Sequence, residues 1–197
     1  MMSEILLDEA THIYNVDGHI IPSVTQILFA MGLIKSYTNN PWYAERGIAI
    51  HRACHLMDID DLDESTLDPQ LRGYIDAYRK FKEESAWKFE HLEESLYHPA
   101  YRYCGTPDRW LPLIDIKSTE NHEPLQLEAY AELLRANGFN PLIHAYFLTL
   151  YEDGKYKLDP YKLDRTRLGV FLSATIVYHE RKERRRFNGS IRDKKEF

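Results

Sequence analysis

Hydrophobic and polar positions follow a short strand-like alternation at the start of the chain and a helical period after it. Apolar positions recur over residues 4–7, 12–14 and 19–21, and the turn-forming run 15–18 separates the last two segments, so we predict a hairpin. Ser23 with Gln26 three residues later has the spacing of a capping box, and it predicts a helix after position 23. Glycine at position 32 is typical of the end of such a helix.

The rest of the chain alternates between helical and strand patterns. A second helix is predicted over 41–57, starting at an Asn-Pro pair, with Trp42, Ile48, Ala49, Ala53 and Leu56 as its apolar side. The later elements are a helix over 69–86, strands over 88–97, 101–110 and 113–118, a helix over 123–136 ended by Asn137-Gly138, a hairpin of 141–151 with 155–158, and a helix over 164–186. This order predicts an α/β or α+β domain with a central mixed β-sheet flanked by helices.

Composition supports a packed globular protein. Of the 197 residues, 44% are hydrophobic, which is enough for the core of one compact domain. No apolar run reaches the roughly 20 residues of a membrane span, and the first residues are too acidic for a signal or transit peptide. We therefore expect a cytoplasmic protein without membrane contacts. Two cysteines, Cys54 and Cys104, cannot build a disulfide framework, which also favours a reducing compartment.

Charge is distributed unevenly along the chain. The net charge of −6 argues mildly against a protein that coats nucleic acid by charge alone. Residues 58–68 are acidic and lack the spacing of a calcium-binding loop, so they predict a solvated surface loop. Residues 181–195 are basic. This run fits either a segment that follows a nucleic-acid backbone or a solvated helix end, and the sequence leaves both open.

Two carboxylates lie on strands that a two-residue link joins. If the link at 111–112 forms a tight turn, antiparallel pairing places Asp108 opposite Asp115, with their Cβ atoms roughly 5 Å apart. Lys117, two residues further on, points to the same face. Facing carboxylates need a cation or abundant solvent between them, and oxygen ligands favour Mg²⁺ or Mn²⁺. The pattern predicts either a metal site or a solvent-facing hairpin with scattered charges.

Two helical pairs add polar side chains at a spacing of four. His51 and His55 share one helical face, which suits either a transition metal or two histidines at the boundary between core and solvent. Gln126 and Tyr130 share a face of the helix that follows Lys117, where an amide and a phenol could hydrogen-bond a phosphate or orient the lysine. Each pair alone is also consistent with ordinary boundary residues.

The order of these motifs along the chain resembles that of a known protein family. Gly-x-x-x-His at 47–51, Gly-x-x-Asp at 105–108, Asp-x-Lys at 115–117 and Gln-x-x-x-Tyr at 126–130 together resemble the RecB-like branch of the PD-(D/E)XK nuclease superfamily. The opening run 22–28 is similar to that of small phage and bacterial exonucleases and of the mitochondrial genome-maintenance exonuclease. The resemblance covers about residues 13–150.

The resemblance implies a restriction-endonuclease-like core in a single domain over 1–197, with a hairpin and helical part at 1–86, a catalytic sheet core at 87–160 and a C-terminal helix with a basic tail at 161–197. It implies Mg²⁺ or Mn²⁺ as cofactor, and no iron–sulfur cluster, because the four-cysteine set of some relatives is missing. The residues that it implies are the metal ligands His51, Asp108, Asp115 and the Ile116 carbonyl, the catalytic Lys117, the substrate-side pair Gln126 and Tyr130, and a further acidic ligand at Glu93, for which Glu90 and Glu94 compete.

The activity that the resemblance implies is metal-dependent hydrolysis of DNA phosphodiester bonds, as an exonuclease of phage or bacterial recombination, repair or replication. An endonuclease or an RNase on the same fold, and a non-catalytic nucleic-acid-binding or assembly module, are the alternatives. A single-strand-binding or annealing protein is a candidate partner. Candidate nucleic-acid contacts are Ser23, Arg46, Arg52, Arg102 and Arg109 for phosphates, and Trp42 or Trp110 for an unpaired base.

Overall fold

The computed structural model describes residues 4–8, 11–35, 41–139 and 144–193. Within them the strands are β1 Ile5–Asp8, β2 Ile13–Val16, β3 His19–Ile21, β4 His91–Leu92, β5 Leu96–His98, β6 Tyr103–Gly105, β7 Arg109–Trp110, β8 Leu113–Lys117, β9 Ala145–Leu150 and β10 Tyr156–Tyr161. The helices are α1 Val24–Ala30, α2 Pro41–Asp58, α3 Arg72–Ser85, α4 Pro124–Ala136 and α5 Arg165–Asp193, with a short 3-10 turn at Glu64–Thr66.

A five-stranded sheet in the order β10-β9-β8-β7-β4 forms the centre of the fold. Strands β8 and β9 run parallel, with α4 as their crossover, and the other neighbours in this sheet are antiparallel. Smaller sheets, β1-β2-β3 and β5-β6, flank it. The predicted α+β class with a mixed sheet is therefore confirmed.

Apolar side chains cover both faces of the central sheet. On β8, Ile114 and Ile116 pack into a core shared with α2 and α3, whereas Leu113 packs into a second core shared with α1, α4 and α5. This alternation follows from the two-residue period of a strand. It leaves Asp115 and Lys117 on the same side of β8 as Leu113, so the charged groups share the layer that α4 covers.

Several predicted helix ends are confirmed. Ser23 caps α1: its hydroxyl accepts from the Gln26 amide at 3.1 Å, and the Gln26 side chain accepts from the Ser23 amide at 3.1 Å. Gly32 follows with a positive φ of 69°, a conformation that glycine adopts without strain. The carboxylate of Glu123 caps α4, which ends before Asn137 as predicted.

Other predictions of local structure are wrong. The predicted strand over 101–110 is two strands, β6 and β7, that pair in different sheets, and the one over 88–97 divides into β4 and β5. The third helix begins at Arg72 rather than at position 69, and the last helix continues past position 186 to Asp193. The start of the predicted hairpin strand at 141–143 lies outside the described residues.

The predicted apolar side of α2 is buried at Ala53 but wrong at Trp42 and Ile48. Ile48 is 71% exposed and Trp42 is 42% exposed, whereas the core-facing positions are Ile50, Ala53 and Cys54. These three have the i, i+3, i+4 spacing of a helical stripe, but two of them are small, so the larger exposed side chains dominated the pattern. In the ranges given above, no helix combines the length and apolar character needed to cross a bilayer.

Two helical glycines predict opposite effects on stability. A Cβ added to Gly73 of α3 would lie 1.7 Å from the Glu152 carbonyl oxygen, whereas a Cβ at Gly169 of α5 would meet nothing within 4 Å. We expect Gly73→Ala to lower the free energy of unfolding by about 1–3 kcal/mol because the backbone of the β9–β10 turn must move. Gly169→Ala should raise it by about 0.5–1 kcal/mol through helix propensity. Urea unfolding of both variants checks the pair, and equal effects would contradict this packing of α3 against the turn.

Candidate active site

The β7–β8 hairpin brings the two motif carboxylates face to face. Arg109 of β7 pairs with Ile114 of β8 across a two-residue turn, and one further step in this register sets Asp108 opposite Asp115. The Ile116 amide donates to Asp108 Oδ2 at 2.6 Å, which fixes the first carboxylate against the strand that carries the second. The predicted register is confirmed.

Helix α2 places an imidazole on Asp108. His51 Nδ1 donates to Asp108 Oδ1 at 3.0 Å. The Asp108 side chain is therefore held at both oxygens, by a ring from α2 and by a backbone amide from β8. The glycine–histidine and glycine–aspartate motifs, 57 residues apart in their last members, meet at this contact.

Lys117 links Asp115 to α4. Its Nζ lies 3.0 Å from Asp115 Oδ1 and 2.9 Å from Oδ2, and it donates to Gln126 Oε1 at 3.3 Å. Gln126 Nε2 then donates to the Tyr130 hydroxyl at 3.0 Å. Because Gln126 and Tyr130 are four apart on α4, one helical face supplies both groups. A continuous polar chain thus runs from the second carboxylate to the phenol.

Glycine at position 105 is required by close packing against that phenol. A Cβ there would lie 2.8 Å from the ring of Tyr130 and 2.9 Å from Leu133. The next residue, Thr106, accepts or donates hydrogen bonds with the hydroxyls of Tyr14 at 2.7 Å and Ser95 at 2.9 Å. The Gly-x-x-Asp segment is therefore held from α4 on one side and from β2 on the other.

Burial and neighbouring charges shift the pKa values of the two carboxyl groups in opposite directions. Burial acts to raise the pKa of Asp108, but the charge and hydrogen bond of His51, together with the Lys117 charge and the Ile116 amide, outweigh it, so this pKa is lowered. Burial raises the pKa of Asp115, and the charge of Asp108 adds to the effect against the opposing ammonium of Lys117. Burial acts to lower the pKa of His51, but Asp108 raises it above its ordinary value. The two facing carboxyl groups thus differ in their affinity for a proton.

The donor set fits a hard divalent cation in its chemistry. Two carboxylates lie at facing positions of the hairpin and His51 reaches Asp108 from α2, while Asp115 Oδ2, although 2.9 Å from the Lys117 ammonium, receives no well-directed hydrogen bond. Among the described residues no group of three or more His, Cys, Asp and Glu side chains stands ready to hold an ion. His51 and Lys117 partly neutralise the two carboxylates in this arrangement.

Glu93 lies next to Asp108, but its carboxylate contacts His55 and Arg109 rather than the motif residues. Its amide donates to the Asp108 carbonyl at 3.1 Å, while its carboxylate lies 3.6 Å from His55 Nδ1 and 3.5 Å from Arg109 Nη1. The described carboxylate within ion-pair distance of His55 is therefore that of Glu93, not one of the motif pair. Of the competing acids, Glu94 pairs with His91 at 2.9 Å. The ligand roles of Glu93 and of the Ile116 carbonyl remain predictions.

Three predicted nucleic-acid contacts are wrong because their side chains are committed to the core. Ser23 is buried and its hydroxyl caps α1. Trp110 is buried with its ring stacked on His91 at 3.5 Å. Arg109 is 0% exposed. By contrast, Arg52 is exposed, and Arg102 is exposed beside Glu183 at 3.6 Å.

Arg109 is the centre of a buried ion network that the sequence did not indicate. Its Nε donates to Asp58 Oδ2 at 2.5 Å and its Nη1 donates to the Asp108 carbonyl at 2.5 Å. Asp58 also accepts from the Tyr78 hydroxyl at 2.7 Å and pairs with Lys82 at 2.9 Å. Asp58 was predicted to belong to a solvated acidic loop, but it lies two helical turns after His51 on α2, and that spacing was the signal for it.

We find no protein-family model that matches this chain and no match among curated proteins. The site geometry and the order of motifs in the sequence are therefore the indications of its function.

Substituting two of the four arginines in the predicted contact set should distinguish a structural arginine from a surface one. Arg109→Met removes the fully buried cation of the network and leaves Asp58 with Lys82, and we expect a loss of about 3–5 kcal/mol in the free energy of unfolding. Arg52→Ala, at an exposed position of α2, should change it by no more than about 0.5 kcal/mol. Urea unfolding followed by circular dichroism measures both. An Arg109→Met protein as stable as the parent would contradict the buried network.

Proposed function

We propose that this protein is a metal-dependent DNA nuclease that acts as an exonuclease. The observation that carries the proposal is the convergence of four separate motif segments on one hairpin: His51 on Asp108, Lys117 on Asp115, and Gln126 with Tyr130 on Lys117. A pair of facing carboxylates, of which Asp115 is buried, is costly to keep in a fold, and hydrolysis of a phosphodiester at a divalent cation is a chemistry that needs such a pair.

The residues divide into holding and positioning roles. His51, Asp108 and Asp115 would hold Mg²⁺ or Mn²⁺, which supplies Lewis-acid activation of the phosphate and of an attacking water. Lys117 then has its ammonium within reach of both the ligand Asp115 and the amide of Gln126, so it can orient the water and neutralise developing charge on the phosphate. Gln126 and Tyr130 hold Lys117 in place from α4.

The rival of a non-catalytic binding module is less consistent with these contacts. A module that only binds nucleic acid gains from exposed cations, whereas here the cation Lys117 is paired with the buried carboxylate of Asp115. Retaining the lysine, the two carboxylates and the Gln126 to Tyr130 bond together has no evident benefit for binding alone. The exonuclease activity is the form of the proposal that the motif resemblance favours.

The direct test is digestion of end-labelled linear DNA with Mg²⁺, beside closed circular DNA of the same sequence. We expect linear DNA to be degraded and circular DNA to survive. Asp115→Asn and Lys117→Met should each lower the rate by at least about 100-fold, because one removes a charged ligand and the other the positioning cation. Asp153→Asn and Lys157→Met, at exposed positions of the β9–β10 hairpin, are the matched controls and should retain the parent rate.

Several outcomes would decide against parts of the proposal. Cleavage of closed circles at the same rate would identify an endonuclease, and degradation of RNA in preference to DNA would identify an RNase. Parent and Asp115→Asn proteins with equal activity would place the chemistry elsewhere. No turnover of any nucleic acid, with binding retained, would identify a non-catalytic module.

Metal binding has a readout that is independent of turnover. A cation that binds only the folded protein stabilises it by about 2.7 kcal/mol at 100 times its Kd. We therefore expect Mn²⁺ or Mg²⁺ to raise the Tm of the parent protein and of Asp153→Asn, and to leave that of Asp115→Asn unchanged. A metal-induced shift of the same size in Asp115→Asn would rule out this carboxylate as a ligand.

A further inference from the structure

The first turns of α2 present two exposed aromatic rings. Trp42 is 42% exposed and Tyr43 is 45% exposed, and their ring centroids lie 5.1 Å apart at an edge-to-face angle of 74°. Arg46, one turn further on, completes a group that we name the α2 platform: Trp42, Tyr43 and Arg46. Two large rings at neighbouring exposed positions are costly to solvate, so their presence needs a reason.

Arg46 holds the rings of the α2 platform in place. The carbon of its guanidinium lies 4.8 Å from the centroid of Trp42, 5.3 Å from that of Tyr43 and 5.2 Å from that of Tyr74 on α3. Its Nε is buried without a hydrogen-bond partner. No described carboxylate lies within ion-pair distance of Arg46. The guanidinium therefore packs against ring faces, which holds the aromatic side chains in place and keeps a positive charge beside them.

The α2 platform is continuous with the candidate active site along α2. Tyr43, Gly47 and His51 are spaced at intervals of four, so they form one row on the helix surface. Tyr43 and His51 are eight residues apart, about 12 Å along the axis. A Cβ at Gly47 would meet nothing within 4 Å, so the surface between the ring and the imidazole is open. The distance corresponds to about three or four stacked nucleotides at about 3.4 Å each.

We propose that the α2 platform stacks on an unpaired base of the substrate strand and so makes single-stranded DNA the preferred substrate. This inference rests on the proposed nuclease function. An exposed ring can stack on the face of a base only when that face is free, and in a duplex the neighbouring bases cover it. Arg46 adds a positive charge for the phosphate backbone beside the stacked base, and the open surface at Gly47 leads the strand from Tyr43 towards His51.

The test is binding of a single-stranded oligonucleotide in EDTA, where no turnover is expected, beside a blunt hairpin duplex of the same length. Trp42 is the exposed member of the three tryptophans and Trp110 is buried, so base stacking should quench the emission of Trp42. We expect Trp42→Ala and Tyr43→Ala each to weaken single-strand binding by about 5- to 100-fold and to leave the weaker duplex binding unchanged.

Two further variants provide the controls. Trp42→Phe keeps a ring that can stack, so it should lose the emission change but retain most of the affinity. Phe29→Ala removes a 57% exposed ring from α1, away from the α2 row, and should leave affinity and emission change intact. Circular dichroism of each variant verifies that α2 is folded before binding is compared.

The outcomes separate this inference from the nuclease proposal. Metal-dependent turnover with equal single-strand affinity in the parent and Trp42→Ala proteins would overturn the platform and leave the nuclease. Single-strand binding that depends on Trp42 in a protein without turnover would retain the platform and overturn the nuclease. A Trp42→Ala protein that loses self-association in gel filtration, with unchanged DNA binding, would make the rings a contact between copies and overturn the inference.

Discussion

The facing pair Asp108 and Asp115 is the constraint on which the arrangement of the other elements depends. Facing carboxylates repel each other, and the burial of Asp115 removes water that would screen the repulsion. Each carboxylate is paired with one basic side chain: His51 of α2 contacts Asp108, and Lys117 of β8 contacts Asp115. Helix α2 must therefore lie against the hairpin, because the charge on Asp108 would otherwise be uncompensated.

A second set of charges fixes the same helix from its other end. Arg109, next to Asp108 in sequence, reaches Asp58 at the last turn of α2 and also donates to the Asp108 carbonyl. His51, in the middle of α2, thus holds the side chain of Asp108. Asp58, at the end of α2, holds Arg109, which in turn donates to the backbone carbonyl of Asp108. Buried ion pairs add little net stability, but breaking one costs much, so they specify a single position for the helix. That position keeps His51 on its carboxylate.

Local rules in the sequence were sufficient where neighbours along the chain decide the structure. The capping box at Ser23 and the two-residue turn before β8 each depend on a few adjacent residues, and both were predicted. Residues whose environment is set by distant segments were missed. Arg109 and Asp58 have the polarity of surface residues, and only their mutual contact across 51 positions makes their burial possible. Trp42 was predicted on the core face of α2 because its large apolar side chain counted for more than its position in the helical repeat.

Helix α2 therefore makes three kinds of contact at different points along its axis. Asp58 binds the hairpin through Arg109, and His51 contacts the candidate metal ligand Asp108. The α2 platform lies about 12 Å from His51 towards the start of the helix. A straight helix transmits position without the adjustment that a loop allows. A base stacked at Trp42 would therefore fix the distance of the following phosphates from His51, so substrate selection and placement of the scissile bond become one geometric property of α2. The open surface at Gly47 is the part of this arrangement that a larger side chain would obstruct without altering the fold.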